Sequence, residues 1–313
     1  MTLPSGTTPI PDSTDIPLID EAEPDWEISE TQVRRRTRQQ WRRTAYSSIP
    51  LLIFVLIAAI GPLIVPYDSI QTDTGLRLLP PLTTLPDGSI AWFGTDQVGR
   101  DLFAQVIQGA RVSIIVGVAT VILAGLLGTL LGLLSGYVGG RTDTVVMRLA
   151  DVQLAFPSIL LAILIAAVLG PSLVNVIVTL AITKWVVFAR MARGSALTIR
   201  EREHVAAAKV LGASRWRILW QEILPSSLGP LLVLVTTQFG LVIVAEAALS
   251  YLGLGTPPDV PSWGLTIANG RDYLATAWWI STFPGIALVL LVLSAGFLGD
   301  RLRDQLDPER RSL

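Results

Sequence analysis

Six long apolar stretches constrain the fold of this chain more than any other feature. They lie near residues 48–66, 112–138, 154–169, 173–189, 228–254 and 277–298. A helix needs roughly 20 apolar residues to cross the hydrocarbon core of a bilayer, and it satisfies its own backbone polar groups there. The sequence therefore predicts an all-α, polytopic membrane protein with six transmembrane helices and the lipid bilayer as its surroundings.

Composition supports this prediction. Of the 313 residues, 51% are hydrophobic and only 16% are charged, and the mean hydropathy is +0.56. A soluble domain carries about 25% charged residues. The chain has no cysteine, which excludes a disulfide framework and a thiolate metal site.

The positions of Lys and Arg predict the orientation of the chain, because cytoplasmic segments are enriched in these residues. Six spans place both termini on one side. With that side inside, the inner segments carry nineteen of the 24 basic residues, the outer segments carry four, and Lys184 lies in the fourth span. We therefore expect cytoplasmic N- and C-termini.

The two ends of the chain differ in composition from the apolar region. Residues 1–33 contain eight acidic residues, no basic residue and five prolines, a composition typical of disorder. The predicted organisation is a disordered acidic tail followed by a basic juxtamembrane segment (1–45), a six-helix domain (46–307) and a short cytoplasmic C-terminal tail (308–313). The first apolar run begins too far from the start for a cleaved signal peptide.

Glycines in the second span line one helical face. Gly125, Gly128, Gly132 and Gly136 are spaced by three, four and four residues. Such a face lets two helix backbones approach closely. We favour packing within the chain over a subunit interface.

Two prolines lie inside predicted spans. Pro157 and Pro284 each remove a backbone hydrogen bond, which bends a helix. We expect kinks in the third and sixth spans. The sequence leaves open whether these kinks move during function.

Glu246 is the most deeply placed ionisable residue. A charge in the bilayer core is costly, so such a residue is a candidate for a function within the membrane. The alternative is a buried carboxylate that is hydrogen-bonded to a neighbouring helix or lies near the outer end of the span.

Two outer segments, residues 92–111 and 253–273, have ordered rather than random patterns. The first begins with Gly and Asp turn residues and continues into an amphipathic pattern, which indicates a short helix at the membrane surface. The second is rich in Gly and Pro and predicts a shaped loop. Both could bind an outer partner or simply cap the helical bundle.

The segment from residue 201 to residue 225 has the pattern of two short helices joined at Gly212. Basic residues stand beside tryptophans in this segment: Lys209, Arg215, Arg217, Trp216 and Trp220. This mixture favours contact with a protein groove, and anionic lipid is the alternative partner. The only histidine, His204, is expected to be a surface residue.

The sequence AAAKVLGASRWRILWQEILP, residues 206–225, resembles the cytoplasmic coupling loop of ABC importer permeases. That loop has the pattern Glu-Ala-Ala, three residues, Gly and a later Leu-Pro. The present chain departs from it at Ala206, where the family usually has glutamate, and at Glu222, where an aliphatic residue is common. The matching positions are Ala207, Ala208, Gly212, Leu224 and Pro225.

Two outer motifs narrow the resemblance. The sequences WFGTDQVGRDLFAQVIQGARVS and ALSYLGLGTPPDVPSWG are similar to those of permeases in dipeptide, oligopeptide and nickel importers, and more specifically to the dipeptide permease C type. The resemblance covers residues 46–307. It implies a bacterial or archaeal cytoplasmic membrane protein that is paired with a homologous permease, two ATP-binding subunits and an extracytoplasmic binding protein. The implied cargo is di- or oligopeptides.

Other functions fit the sequence less well. The chain has no Gly-rich phosphate loop, so ATP hydrolysis is expected on partner subunits. No residues are assigned as catalytic, cofactor-binding or metal-binding, and no nucleic-acid partner is expected. An intramembrane enzyme would need a nucleophile and base or a metal cluster, and a channel would need pore charges beyond Glu246. Nickel, a metal chelate or another small solute remains an alternative cargo.

Overall fold

The computed structural model describes residues 30–65 and 72–306, with side chains described from residue 46 onward. Two compact units divide the chain, Met1–Arg42 and Arg43–Leu313. Every candidate membrane span of the described residues lies in the second unit. The predicted C-terminal tail and most of the predicted acidic tail lie outside the described residues.

The described residues form ten α-helices and one two-stranded hairpin. The hairpin consists of β1 (Thr83–Thr84) and β2 (Ile90–Ala91), which pair antiparallel. The helices are α1 (Glu30–Ile64), α2 (Leu102–Val138), α3 (Gly140–Leu154), α4 (Ser158–Leu169), α5 (Leu173–Ile199), α6 (Glu203–Val210), α7 (Arg215–Ile218), α8 (Leu224–Tyr251), α9 (Trp263–Gly270) and α10 (Trp279–Leu306).

The all-α membrane architecture is confirmed. In the described residues, five helical segments are long and apolar enough to cross a membrane, and α3 and α4 together supply a sixth if the bent pair counts as one span. Several boundaries differ from the predicted ones. The fourth and sixth spans run on to Ile199 and Leu306, because polar residues continue these helices beyond the apolar windows.

The predicted surface helix before the second span is not a separate element. Helix α2 begins at Leu102, ten residues before the predicted span, and runs without interruption to Val138. The side chain of Asp101 caps it by accepting a hydrogen bond from the Phe103 N–H at 2.9 Å. The prediction was wrong at this boundary because the amphipathic turns and the apolar turns belong to one continuous helix.

The third span is broken rather than continuous. Helices α3 and α4 meet at an angle of 89°, and Pro157 occupies the N-cap of α4. The kink predicted at Pro157 is therefore confirmed as a full interruption, which agrees with the missing N–H of proline. Pro284, by contrast, lies within the continuous helix α10.

The glycine face of α2 packs against α5, as the sequence analysis favoured. A Cβ atom on Gly132 would overlap the backbone carbonyl of Ala189, and one on Gly136 would lie 2.7 Å from the Arg193 carbonyl oxygen. Backbone therefore touches backbone along this seam, which only a residue without a side chain permits. We call this contact the α2–α5 seam.

Two tryptophans fasten the outer segments to the bundle. The indole N–H of Trp263, the first residue of α9, donates to the Val106 carbonyl oxygen at 2.9 Å. The indole N–H of Trp279 donates to the Thr95 carbonyl oxygen at 3.1 Å. Both rings are buried, so the ordered outer segments pack as caps on the helices.

The seam predicts a difference between neighbouring glycines. Gly132→Ala should destabilise the protein by about 1–3 kcal/mol, because the new methyl group overpacks backbone atoms that cannot move aside. Gly125→Ala should have little effect, since its Cβ would lie 3.6 Å from the Phe188 ring. Melting temperatures in detergent measure both, and equal melting temperatures for the two variants would contradict the close contact at Gly132.

Candidate functional site

The loop predicted around residues 201–225 is built from α6, a tight turn and α7. Helix α6 ends in two backbone hydrogen bonds, from the Gly212 N–H to the Lys209 carbonyl and from the Ala213 N–H to the Ala208 carbonyl, both at 3.0 Å. This pair defines a Schellman motif, which closes a helix with a left-handed residue. Ser214 then caps α7.

Gly212 occupies that left-handed position. Its φ angle is +80°, a conformation that costs residues with a Cβ about 1–2 kcal/mol. A Cβ at this position would meet no atom within 4 Å. The requirement for glycine is therefore conformational rather than steric, and Asn is the substitute that tolerates it best.

The second half of the loop is not a separate helix, which corrects the predicted pair of short helices. Helix α7 continues into a π turn, Leu219–Ile223, and then directly into α8. In this turn the Leu224 N–H donates to the Leu219 carbonyl, five residues earlier. The wider turn accommodates Pro225, whose ring would clash with the carbonyl four residues before it in a regular helix.

The inner face of the loop is part of the largest cluster of buried apolar side chains, which we call the main core. Helices α2, α4, α5 and α8 also contribute side chains to this cluster. Val205, Ile218, Leu219 and Ile223 are all buried in this cluster. Burial of each such side chain stabilises the folded protein by roughly 1.5–3 kcal/mol. The loop is therefore packed firmly onto the spanning helices rather than hanging free.

The outer face of the loop carries exposed apolar and basic side chains together. Val210 and Leu211 are 87% and 86% exposed, and Trp216 and Trp220 are 60% and 47% exposed. The basic residues Lys209, Arg215 and Arg217 are exposed beside them. Large exposed apolar side chains in one patch are typical of protein-binding surfaces. We call these seven residues the loop surface.

A notch of about 350 Å³ opens between α6 and the π turn. Two of the sequence-predicted site residues, the half-buried Ala208 and the exposed Gly212, line it. Glu222, one of the departures from the family pattern, also lies in its wall. Elsewhere, Ala207 and Pro225 are exposed and Leu224 packs against the main core. His204 and Ala206 are exposed as well.

A polar clamp that the sequence analysis missed holds the end of α5, just before the loop. Arg193 makes two hydrogen bonds to the Asp143 carboxylate, at 2.6 and 2.8 Å, and Ser135 donates to the same carboxylate. Arg200 donates to the Gly136 carbonyl at 2.8 Å. The basic residues were visible in the sequence, but their partners are at least fifty positions away.

Glu246 lies at the junction of α2, α8 and the start of α9, with no exposed surface. Its carboxylate accepts hydrogen bonds from Ser250 at 2.7 Å and from Ser113 at 3.3 Å. This geometry matches the alternative given in the sequence analysis, a buried carboxylate that is hydrogen-bonded to a neighbouring helix. The carboxylate thus joins α8 to α2.

Comparison with known proteins defines the class of this chain. Residues 128–312 match the family described as the binding-protein-dependent transport system inner membrane component. This match covers more than half of the chain, and the helical bundle with its loop at residues 201–225 agrees with it. The chain therefore belongs to this family of multi-pass inner-membrane permeases of ABC importers.

Individual relatives are more specific. The probable D,D-dipeptide transport system permease protein DdpC of Escherichia coli (strain K12) is 41% identical over 266 residues, covering 85% of this chain and 87% of that protein. The dipeptide transport system permease protein DppC of Alkalihalophilus pseudofirmus is 40% identical over 281 residues, covering 89% and 90%. The predicted resemblance to permeases of the dipeptide permease C type is confirmed.

Solved structures agree on the fold. The chain is similar to a subunit in an inward-facing structure of the MetNI methionine ABC transporter, with a TM-score of 0.55 and 18% identity. The match covers 65% of this chain and 96% of the solved chain. At this identity the likeness establishes the fold of an importer permease.

The Glu246 site predicts a graded loss of stability. Glu246→Leu should lower the melting temperature in detergent, because it leaves the Ser113 and Ser250 hydroxyls without their acceptor at about 1–3 kcal/mol for each unsatisfied group. Glu246→Gln retains an acceptor oxygen and should lose less. A leucine variant as stable as the original protein would exclude the proposed linkage between α2 and α8.

Proposed function

We propose that this chain is the permease subunit through which an ATP-driven importer carries di- or oligopeptides into the cytoplasm. The names of the relatives support peptides as the cargo, since both are called dipeptide permeases. The proposed complex contains a homologous second permease, two cytoplasmic ATPase subunits and an extracytoplasmic binding protein. ATP hydrolysis takes place on the ATPase subunits, and this chain conducts the cargo.

The observation that carries the proposal is the construction of the loop. Its exposed apolar and basic surface suits a protein partner, while its inner face is buried in the main core. A force applied to the loop surface by an ATPase subunit would therefore reach α5 and α8 without being absorbed by a flexible linker. We assign Ala207, Ala208 and Gly212 to the contact, and Leu224 and Pro225 to its connection with α8.

The proposed setting is the cytoplasmic membrane of a bacterium or archaeon, with both termini inside. The excess of basic residues in the inner segments supports this orientation. The loop surface then faces the cytoplasm, and the segments held by Trp263 and Trp279 face the binding protein. Residues 46–307 form the transport domain in this arrangement.

Cargo uptake tests the proposal directly. We expect cells that lack this chain to lose uptake of labelled di-, tri- or pentapeptides and to keep uptake of nickel ions. Restoring the chain from a plasmid should restore the same uptake, which controls for effects on other genes. Loss of nickel uptake with intact peptide uptake would overturn the cargo while leaving the fold unaffected.

We expect a substitution that strains the turn at Gly212 to uncouple transport from ATP hydrolysis. Gly212→Val should insert into the membrane normally but reduce ATP-driven uptake by roughly tenfold, because a β-branched residue strains the left-handed turn by about 1–2 kcal/mol. Gly212→Asn is the matched control and should retain most of the activity, since Asn tolerates this conformation. Uptake is measured in reconstituted complexes, and normal uptake by the valine variant would contradict the role assigned to Gly212.

A further inference from the structure

The interruption of the third span leaves irregular backbone between two helices. Helix α3 ends at Leu154 and α4 begins at Ser158, and their axes differ by 89°. We call the intervening residues 155–157 the break. Neither the loop surface nor the Glu246 site includes it.

A distance along α5 indicates that the break lies near the middle of the bilayer. Gln153, beside the break, donates to the Ile182 and Thr183 carbonyl oxygens at 2.9 and 3.1 Å. Ile182 lies nine residues after Leu173, the start of α5, which is about 14 Å along a helix and about half of a ~30 Å hydrocarbon core. In addition, α4 has only 12 residues, about 18 Å, and is too short to cross alone.

The break contains backbone groups without partners. The Phe156 N–H donates to the Gln153 carbonyl at 3.2 Å, and the Leu161 N–H donates to the Pro157 carbonyl at 3.1 Å. Among the described residues, no donor reaches the carbonyl oxygens of Ala155 and Phe156. Lipid tails supply no donor, so irregular backbone at this depth has to face protein or a water-filled cavity.

An exposed ion pair next to the break favours water. Arg190 donates to the Asp151 carboxylate at 2.7 Å, and both side chains are more than half exposed. Asp151 precedes Ala155 by four residues, about 6 Å along a helix. Arg190 lies 17 residues after Leu173, about 26 Å along α5, so the pair lies near the end of α5 that leads into the loop, where water reaches exposed charges. A charged cleft of about 450 Å³ surrounds the pair between α3 and α5.

We propose that the break lines the water-filled path of the cargo at half depth. The carbonyl oxygens of Ala155 and Phe156 accept hydrogen bonds there from water and from N–H groups of the passing cargo. The Phe156 side chain, which is 58% exposed, forms the apolar constriction at this level. This inference rests on the proposed import of peptides, whose ammonium and amide groups are such donors.

Thiol accessibility tests the inference. The chain has no cysteine, so one introduced residue is the only thiol that it carries. Phe156→Cys is compared with Leu56→Cys, which is placed in the middle of the first span and is 48% exposed. Each variant is assembled in the full transporter complex in inverted membrane vesicles. The reagent is a membrane-impermeant cationic methanethiosulfonate, applied with and without ATP.

We expect Phe156→Cys to react roughly tenfold faster or more than Leu56→Cys in at least one nucleotide state, because thiolate forms in water and not in lipid. A permeant maleimide, read as a mass shift of this chain, confirms that both thiols are present. Equal, slow reaction of both variants in every state would overturn the inference and would indicate that another subunit or lipid covers the break.

Added peptide separates this inference from the proposed cargo. Fast reaction at Phe156→Cys that slows when binding protein and peptide are supplied supports both. If the thiol reacts fast and no peptide slows the reaction, the result supports the water-filled break and counts against peptides as the cargo. The same conclusion holds if the complex takes up another solute.

Discussion

The backbone contact between α2 and α5 is the constraint on which the rest of the structure depends. Gly128 and Gly132 let the two helices touch without intervening side chains, and this approach brings Arg193 to Asp143 and Arg200 to the Gly136 carbonyl. The end of α5 is therefore fixed just before the loop begins. A side chain in the seam would separate the helices and detach that clamp.

Close packing also fixes the loop to the spanning helices. Val205 and Ile223 are fully buried in the main core, so we expect the loop to move together with α5 and α8. The π turn carries α7 into α8 without a hinge. By contrast, α3 and α4 are joined by three irregular residues at a sharp angle. The permease thus combines a firmly packed loop, the proposed ATPase contact, with an interrupted helix, the proposed lining of the cargo path.

The sequence predicted the spanning helices and the turn at Gly212, because apolar windows and glycine conformations are local properties. It placed the boundaries less well: α2 begins earlier than its apolar window, since amphipathic turns and apolar turns join in one helix. The loop residues were predicted through a resemblance, while the clamp at Asp143 was not predicted. Contacts between residues fifty positions apart depend on how helices pack, which a single sequence does not reveal.

The most direct test of this account is a distance across the membrane within this one chain. One spin label is attached at Leu211→Cys on the loop surface and a second at Val174→Cys at the far end of α5. Both positions are exposed. Pulsed electron paramagnetic resonance gives their separation in the reconstituted complex, with and without bound ATP. The account predicts the same distance in both states, because the loop and α5 move as one body. A distance that changes with ATP would show that the loop flexes independently and would contradict the account.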